Sequence, residues 1–422
     1  LFTYLPFGDV AYRVNLSSAV YGALAAPVVY LAALRLVPGR FGVPAAVLAA
    51  LAFAGAPAFW SEAVVAEVYT LKVLTFAAAL YALLLWRGSR REGHLLLAAF
   101  LTGLAMTAHM TSGLLLPGAL LFVALVDRRA LARAGLLLKA SGLFVLGLSP
   151  YLYLPLRASM EPPLIYNDPS DLEGLLFLLS GGNFRGQMFA FGPSELPGRA
   201  AMFLELLAVQ FPLLLLALAL PGAVLTLRRD PCLSALLGFL LAGHLVYALG
   251  YSINQDIEPY FLTTYLILAL LAAVGLGWLL RAGERLAGRL PPRAVTGVLL
   301  FLSFSLLGLA VADRWGEVDQ SGNLEGRQLV EVVEEEVEPG ATVLGHRETA
   351  ILIYAQLVEG SRTDVEVTSV STADVVERSE AAVGSGPTYF IKPGAAAVGN
   401  IREAGYDIFP VEEGLLYEVR AV

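Results

Sequence analysis

The feature that most restricts what this chain can fold into is a recurrence of long apolar stretches, at residues 18–36, 43–59, 70–86, 94–108, 112–126, 135–156, 204–227, 233–252, 260–280 and 294–312. A bilayer core of about 30 Å needs about 20 mostly apolar residues per helix. Lipid offers the backbone no hydrogen-bond partners, so each stretch is expected as a transmembrane helix. None shows the alternating polarity of a strand. The composition agrees: of 422 residues 57% are hydrophobic and 15% charged, with a mean hydropathy of +0.69. Ordinary soluble domains carry about 25% charged residues, so a soluble enzyme is disfavoured. The expected fold class is mainly α: a polytopic helical membrane protein of about ten spans, followed by a small C-terminal α/β domain.

The net charge of -8 is unevenly distributed. Residues 314–422 hold 20 acids and 8 bases, whereas residues 1–313 hold 16 acids and 20 bases. This shift sets the expected domains: a membrane body over 1–313, with an outer loop at 157–203, and a soluble unit over 314–422. Within the body the bases cluster in alternate loops: Arg35 and Arg40; Arg87, Arg90 and Arg91; Arg128, Arg129, Arg133 and Lys139; Arg228 and Arg229; Arg281, Arg285, Arg289 and Arg293. Basic loops stay cytoplasmic, so the acid-rich loops and the tail face outward. The expected compartment is a plasma membrane of bacterial inner-membrane type. Cys232 is the only cysteine, which rules out a disulfide framework and a cysteine metal site. No basic stripe with interleaved aromatics occurs, so nucleic acid is not an expected partner.

The tail has a different rhythm. Apolar β-type runs at 342–344, 365–370, 388–391, near 408 and at 416–419 alternate with helical stretches at 326–337, 349–357, 373–382 and 395–404. Such alternation predicts a largely parallel sheet. No glycine-rich phosphate loop follows any of its strands, so no nucleotide is assigned.

Polar content concentrates on the outer face. In WSEAVVAEVYTLK, Glu62, Glu67, Tyr69 and Lys72 stand at a membrane boundary. Carboxylates there can hold a divalent ion or position an acceptor hydroxyl. On a continuous helix Glu62 and Glu67 would point about 140° apart, so they share a ligand only if the helix breaks. The plainer reading is that both solvate a helix end, although an ionisable group near hydrocarbon is costly. His109, in TAHMTSG, is a candidate acid/base, metal ligand or phosphate donor, or simply a hydrogen-bonded helix end. His94 and His244 have no acidic neighbours in sequence and read as structural. Arg13, Lys72, Arg157 and Arg185 are bases on the outward side; they suit a lipid-linked phosphate as well as pairing or snorkelling. Asp168 lies in the loop segment EPPLIYNDPSDLEG, and Asp256 and Glu258 lie at the mouth of a helix pair, where they could equally solvate a turn. No cofactor is fixed; a divalent metal is compatible with the carboxylates, and its identity is left open. The short apolar stretches at 172–179 and 200–207 are expected to lie in the interface.

Five segments in chain order carry a resemblance: LPFGDVAYRVNLSSAVYGALAA, FWSEAVVAEVYTLKVL, GLAMTAHMTSGLLLPG, PYLYLPLRA with EPPLIYNDPSDLEGLLFLLSGGNFRG, and NQDIEPYFLTTYL. Together they resemble the protein O-mannosyltransferase family of the transmembrane-protein-260 type, among the GT-C membrane glycosyltransferases. The resemblance implies transfer of a sugar, in this family mannose, from a polyprenyl-phosphate donor to a protein or glycan hydroxyl on the outer face. It implies an acidic general base in the first outer loop, upstream of Leu1, so that this chain would lack that residue and its helix. It places Glu67 as the acid of the second outer loop and His109 as an active-site histidine. Arg13, Lys72 and Arg157 become candidates for the donor phosphate, and Tyr69 for substrate contact. The other functions weighed are a lipid-linked glycan transporter, which predicts ionisable residues at mid-span and an internal repeat, and a non-catalytic membrane scaffold.

Overall fold

The computed structural model describes residues 2–422 except 166, 254, 255, 287, 289 and 372. Leu1, Asn254, Gln255 and Arg289, named above, therefore lie outside the described residues. The chain forms two compact units, Leu1–Asp319 and Gln320–Val422.

The first unit is helical. Asp9 caps α1 (Val10–Leu36) by accepting from the Tyr12 N–H at 2.7 Å. The chain continues through α2 (Gly42–Ala54), α3 (Pro57–Val64), α4 (Tyr69–Ser89), α5 (Glu92–Ala108) and α6 (Leu115–Asp127). It then forms α7 (Ala134–Gly147), α8 (Tyr153–Ala158), α9 (Leu172–Leu179) and α10 (Leu196–Gln210). The last four helices of the unit are α11 (Leu213–Arg229), α12 (Pro231–Gly250), α13 (Leu262–Leu286) and α14 (Pro292–Val318). Among the described residues six helices are long and apolar enough to cross a membrane, or up to nine if each of three bent pairs is one span. The remaining expected stretch is α5, an apolar helix of 17 residues.

Each bend has a proline at or beside it. Pro57 opens α3 after a 60° turn from α2, and Pro150 sits at the 44° bend between α7 and α8. The stretch 204–227 is not one straight span: Pro212 interrupts it, and α10 turns 111° from α11. Proline cannot donate the hydrogen bond that would carry a helix through this point. The second boundary also moves, because α14 runs on past Arg314 to Val318.

Small residues let the helices touch. A Cβ on Gly222 of α11 would lie 1.9 Å from the Leu271 carbonyl oxygen, and one on Gly275 of α13 would lie 1.9 Å from that of Leu218. Close backbone approach of this kind supplies packing where lipid removes the hydrophobic drive between helices. Around these contacts Phe53, Phe76, Leu80, Leu83, Trp86 and Phe122 are fully buried.

The turns gather at two ends. At one, arginine side chains tie turn to turn: Arg40 to Glu284, Arg87 to Asp230, and Arg133 to Glu92 at 2.6 Å. Arg90 also donates to the Val126 carbonyl at 3.0 Å. At the other end meet the start of α1, the α3–α4 break, the α5–α6 junction and the start of α13.

The second unit comprises α15 (Glu325–Glu336), β1 (Thr342–Gly345), α16 (Thr349–Tyr354) with a π turn over Ala355–Glu359, and β2 (Glu366–Ser369). It ends with α17 (Val375–Ser385), β3 (Thr388–Ile391), α18 (Ala395–Glu403), β4 (Tyr406–Glu412) and β5 (Leu416–Ala421). The strand order is β2-β1-β3-β5-β4. Only β2, β1 and β3 run parallel; β5 pairs antiparallel with both β3 and β4. The sheet is therefore mixed rather than largely parallel. The cause is the short β4–β5 turn, where Gly414 takes φ 83°, since so short a connection permits only antiparallel pairing. Leu329, Val330 and Val333 of α15 cover one face, while Val375, Ala382 and Ile401 of α17 and α18 cover the other.

Candidate functional site

The site begins with the break between α3 and α4. The helix stops at Val64, the backbone turns extended at Val65, and α4 starts at Tyr69. Ser18 of α1 pins this break: its Oγ donates to the Glu67 carbonyl at 3.1 Å and accepts the Glu67 N–H at 3.2 Å. The interruption removes the angular separation that a continuous helix would impose. Glu62 then lies within electrostatic reach of Glu67, Lys72, Asp256 and Glu258. Glu67 is exposed, and its Oε2 accepts from the Val68 N–H at 3.4 Å.

Lys72, one turn into α4, is 0% exposed, and among the described residues its Nζ has no hydrogen-bond partner. The ammonium sits 5.7 Å from the centre of the Tyr69 ring. A buried charge without hydrogen bonds is expensive, and such a group is normally paired or coordinated. Glu62 is the neighbouring acid, and among the described residues its own Oε2 is also buried without a hydrogen-bond partner.

An aromatic wall closes the other side. Tyr69 packs 5.4 Å from His109 and 6.0 Å from Tyr260, while His109 and Tyr260 are 5.8 Å apart. Tyr260 stacks on Tyr251 at 4.7 Å, and Tyr251 on Tyr247 at 5.6 Å. His109 stands between α5 and the short 3-10 turn before α6, where its Nδ1 contacts Thr111 Oγ1 at 2.9 Å. Arg199 of α10 fixes the end of α12 by donating to the carbonyls of Leu249 at 3.1 Å and Tyr251 at 3.0 Å. Gln210, buried at the end of α10, accepts the Ala58 N–H at 2.9 Å and so holds the start of α3.

The structure thus brings together Glu62, Glu67, Tyr69, Lys72, His109, Asp256 and Glu258, from three separate sequence segments. It leaves four other candidates elsewhere. Arg13 donates to the backbone carbonyls of Leu5 at 2.6 Å and Asp9 at 3.0 Å. Arg157 is exposed and contacts Met160 Sδ at 3.8 Å. Arg185 donates to Ser180 Oγ at 2.6 Å and lies over the Phe177 ring. Asp168 accepts from the Ser170 N–H at 3.2 Å in the turn before α9. Among the described residues no three of His, Cys, Asp and Glu converge as ligands for a metal.

Sequence reasoning missed Tyr251, Arg199, Gln210 and Ser18, and it set His244 aside as structural. His244 is 1% exposed, packs 5.4 Å from Phe76 and lies within electrostatic reach of Lys72. A polar residue in an otherwise apolar run was the available signal for Gln210 and His244. Beside α3 an apolar cavity of about 550 Å³ opens between α1, α2, α3 and α14, with Gly22, Phe59, Trp60, Ala63, Phe304 and Leu307 on its walls.

Known structures share this fold. ArnT from Cupriavidus metallidurans in the apo state superposes with a TM-score of 0.59 at 14% identity, covering 96% of this chain and 83% of its own. The same protein bound to undecaprenyl phosphate gives 0.54 at 15%, covering 96% and 84%. The Archaeoglobus fulgidus oligosaccharyltransferase in complex with Zn and sulfate gives 0.55 at 15%, covering 97% and 61%. The chain is an integral membrane protein with the fold of the GT-C glycosyltransferases. Residues 1–131 match the family model described as Protein O-mannosyl-transferase TMEM260 N-terminal domain. Protein O-mannosyl-transferase TMEM260 of Mus musculus is 26% identical over 394 residues, covering 86% of this chain. The chain spans about half the length of that relative, at 54%.

Proposed function

We propose that the chain belongs to a membrane glycosyltransferase that moves a sugar, mannose in the first instance, from a polyprenyl-phosphate donor to a protein or glycan hydroxyl on the outer membrane face. The observation that carries this reading is the buried Lys72, whose Nζ has no hydrogen-bond partner among the described residues, set among Glu62, Glu67, Tyr69 and His109 near an apolar cavity. A pre-placed cation in a water-poor site is suited to binding a phosphate and stabilising it as it departs. The cavity suits the donor's hydrocarbon chain, and ArnT, which shares the fold, has been crystallised with undecaprenyl phosphate.

In this mechanism a carboxylate takes the proton of the acceptor hydroxyl, and within this chain Glu67, the exposed carboxylate of the pair, is the candidate for that role beside the upstream acid that the resemblance implies. The acceptor oxygen attacks the anomeric carbon as the bond from that carbon to the phosphate oxygen breaks. Polyprenyl phosphate leaves with the bonding electrons, and its charge is met by Lys72. Glu62 lies within electrostatic reach of Lys72, and His109 and Tyr69 line the path of the sugar. Asp256 and Glu258, beside Glu62, are contacts for the acceptor, and Arg13, Arg157, Arg185 and Asp168 are contacts for the headgroup or the acceptor outside the cluster. With the arginine-rich turns inside, the segment after Val318 emerges on the outer side of a bacterial plasma membrane.

The test supplies full-length protein in membranes with radiolabelled polyprenyl-phosphate mannose and counts label in acceptors. Glu67→Gln is expected to lower transfer by about 10²-fold, the usual contribution of a general base. No transfer by the wild type with several sugar donors, or full transfer by Glu67→Gln, would overturn the reading.

A further inference from the structure

At the arginine-rich end, a polar crevice of about 550 Å³ separates the α1–α2 turn from the last turns of α13. Arg40, Arg281 and Arg285 line it, with Glu284 as the single carboxylate. Glu284 is already engaged, by Arg40 and by Thr296, whose Oγ1 donates to it at 3.0 Å. Arg281 reaches only the Pro38 carbonyl, at 3.3 Å. Among the described residues neither Arg281 nor Arg285 has a carboxylate partner.

Arg281 and Arg285 stand one turn apart on α13, a spacing at which like charges repel. Arg229, at the end of α11, adds a third positive charge near Arg281. The need for bases on one side of a membrane protein accounts for arginines in these loops. The helix dipole accounts for arginine near the end of α13. Neither requires three guanidinium groups to face one crevice whose only carboxylate is spoken for. Guanidinium forks match phosphate oxygens in number and geometry.

We infer that this crevice binds a phosphate group, either the headgroup of an acidic phospholipid or a free phosphate anion. The site is separate from the transfer site and independent of the function proposed for it. A bound phosphate would relieve the repulsion within α13 and bridge α13 to the α1–α2 turn.

The experiment places the full chain in phosphatidylcholine nanodiscs with and without phosphatidylglycerol, and in detergent with and without millimolar inorganic phosphate. Native mass spectrometry counts retained phosphatidylglycerol, and thermal unfolding reports stabilisation. Wild type is expected to retain the acidic lipid and to gain several degrees in Tm. The double variant Arg281→Gln/Arg285→Gln should lose both effects at least tenfold. Arg128→Gln/Arg129→Gln, an equal charge loss at the same end, should keep them. Stabilisation by inorganic phosphate without lipid would identify a free anion as ligand, and lipid-only stabilisation a headgroup; both support the site. Equal loss in the two double variants, or no loss in either, overturns it. Should the first double variant fail to fold, Arg285→Gln alone gives the same reading, since Arg285 is exposed.

Discussion

At one end of the helical unit side-chain ion pairs hold turns together, and at the other Lys72 and Glu62 lie within electrostatic reach of each other with buried polar atoms that make no hydrogen bond among the described residues. Arg87 with Asp230, Arg133 with Glu92, and Arg40 with Glu284 each join two turns that are distant in sequence. Across the bundle, Lys72 is fully buried and, among the described residues, neither its Nζ nor the buried Oε2 of Glu62 has a hydrogen-bond partner, while Glu67 stands in the open. The first arrangement stabilises the fold, whereas the second costs stability. A fold keeps a costly group where binding of something else will complete it. The contrast supports the proposed role of the Lys72 end in transfer and gives the opposite end a role in holding the fold.

The sharpest way to break this comparison is Lys72→Met, which keeps the volume and removes the charge. If the lysine serves the donor phosphate, transfer should fall by about 10²–10³-fold, as when a charge-stabilising donor is removed. Its Tm should stay level or rise, because a desolvated ammonium without hydrogen bonds is gone. A fall in Tm with activity retained would make Lys72 a structural residue like those of the opposite end. The reciprocal change is Asp230→Ala. Asp230 pairs with Arg87 and also caps α12, accepting from the Leu233 N–H at 3.1 Å. Losing a cap costs about 1 kcal/mol, and leaving Arg87 without its partner adds to that. Thermal or denaturant unfolding should detect this loss while transfer per folded molecule stays unchanged.

How much of this could be read beforehand differs between the same two regions. Helical spans are written in apolar length, and the arginine rhythm is a local sequence property, so both were legible. The bends were not, except at their prolines: a run such as 204–227 is uniformly apolar, and only Pro212 marks where α10 turns away. Glu62 and Glu67 were legible as residues, and so was the condition that the helix must break for them to meet. The break itself depends on Ser18, 49 positions upstream of Glu67, a partner that no local pattern announces. The aromatic wall has the same origin. Tyr69, His109, Tyr251 and Tyr260 are ordinary membrane-boundary aromatics until the bundle stacks them. In the tail the strands were visible from β-branched runs, but antiparallel β5 was not, since its direction is set by the short turn at Gly414.

The smallest expected effect concerns the soluble unit, whose charges follow the logic of the arginine-rich end. Arg327 forms a fork on Glu359, with both nitrogen–oxygen distances at 2.9 Å. That hydrogen-bonded pairing holds the Glu359 carboxyl below its ordinary pKa. Asp364 is held low in the same way by Arg362, and Asp374 by the hydroxyl and backbone N–H of Ser371. All three shifts are depressions, so the stabilisation they give is fully present above the ordinary carboxylate range. It is lost as pH falls through the lowered folded values. These groups are solvent-facing and screened, so the effect is small. Hydrogen exchange of residues 320–422 in the full chain should therefore be flat between about pH 5 and 8 after correction for intrinsic rates. Acidification below about pH 4 should accelerate it. Glu359→Gln should flatten part of that acid limb and leave the neutral plateau only slightly changed. An acid limb identical in the variant and the wild type would mean that the Arg327 fork contributes nothing, and that this unit is held by its two apolar faces alone.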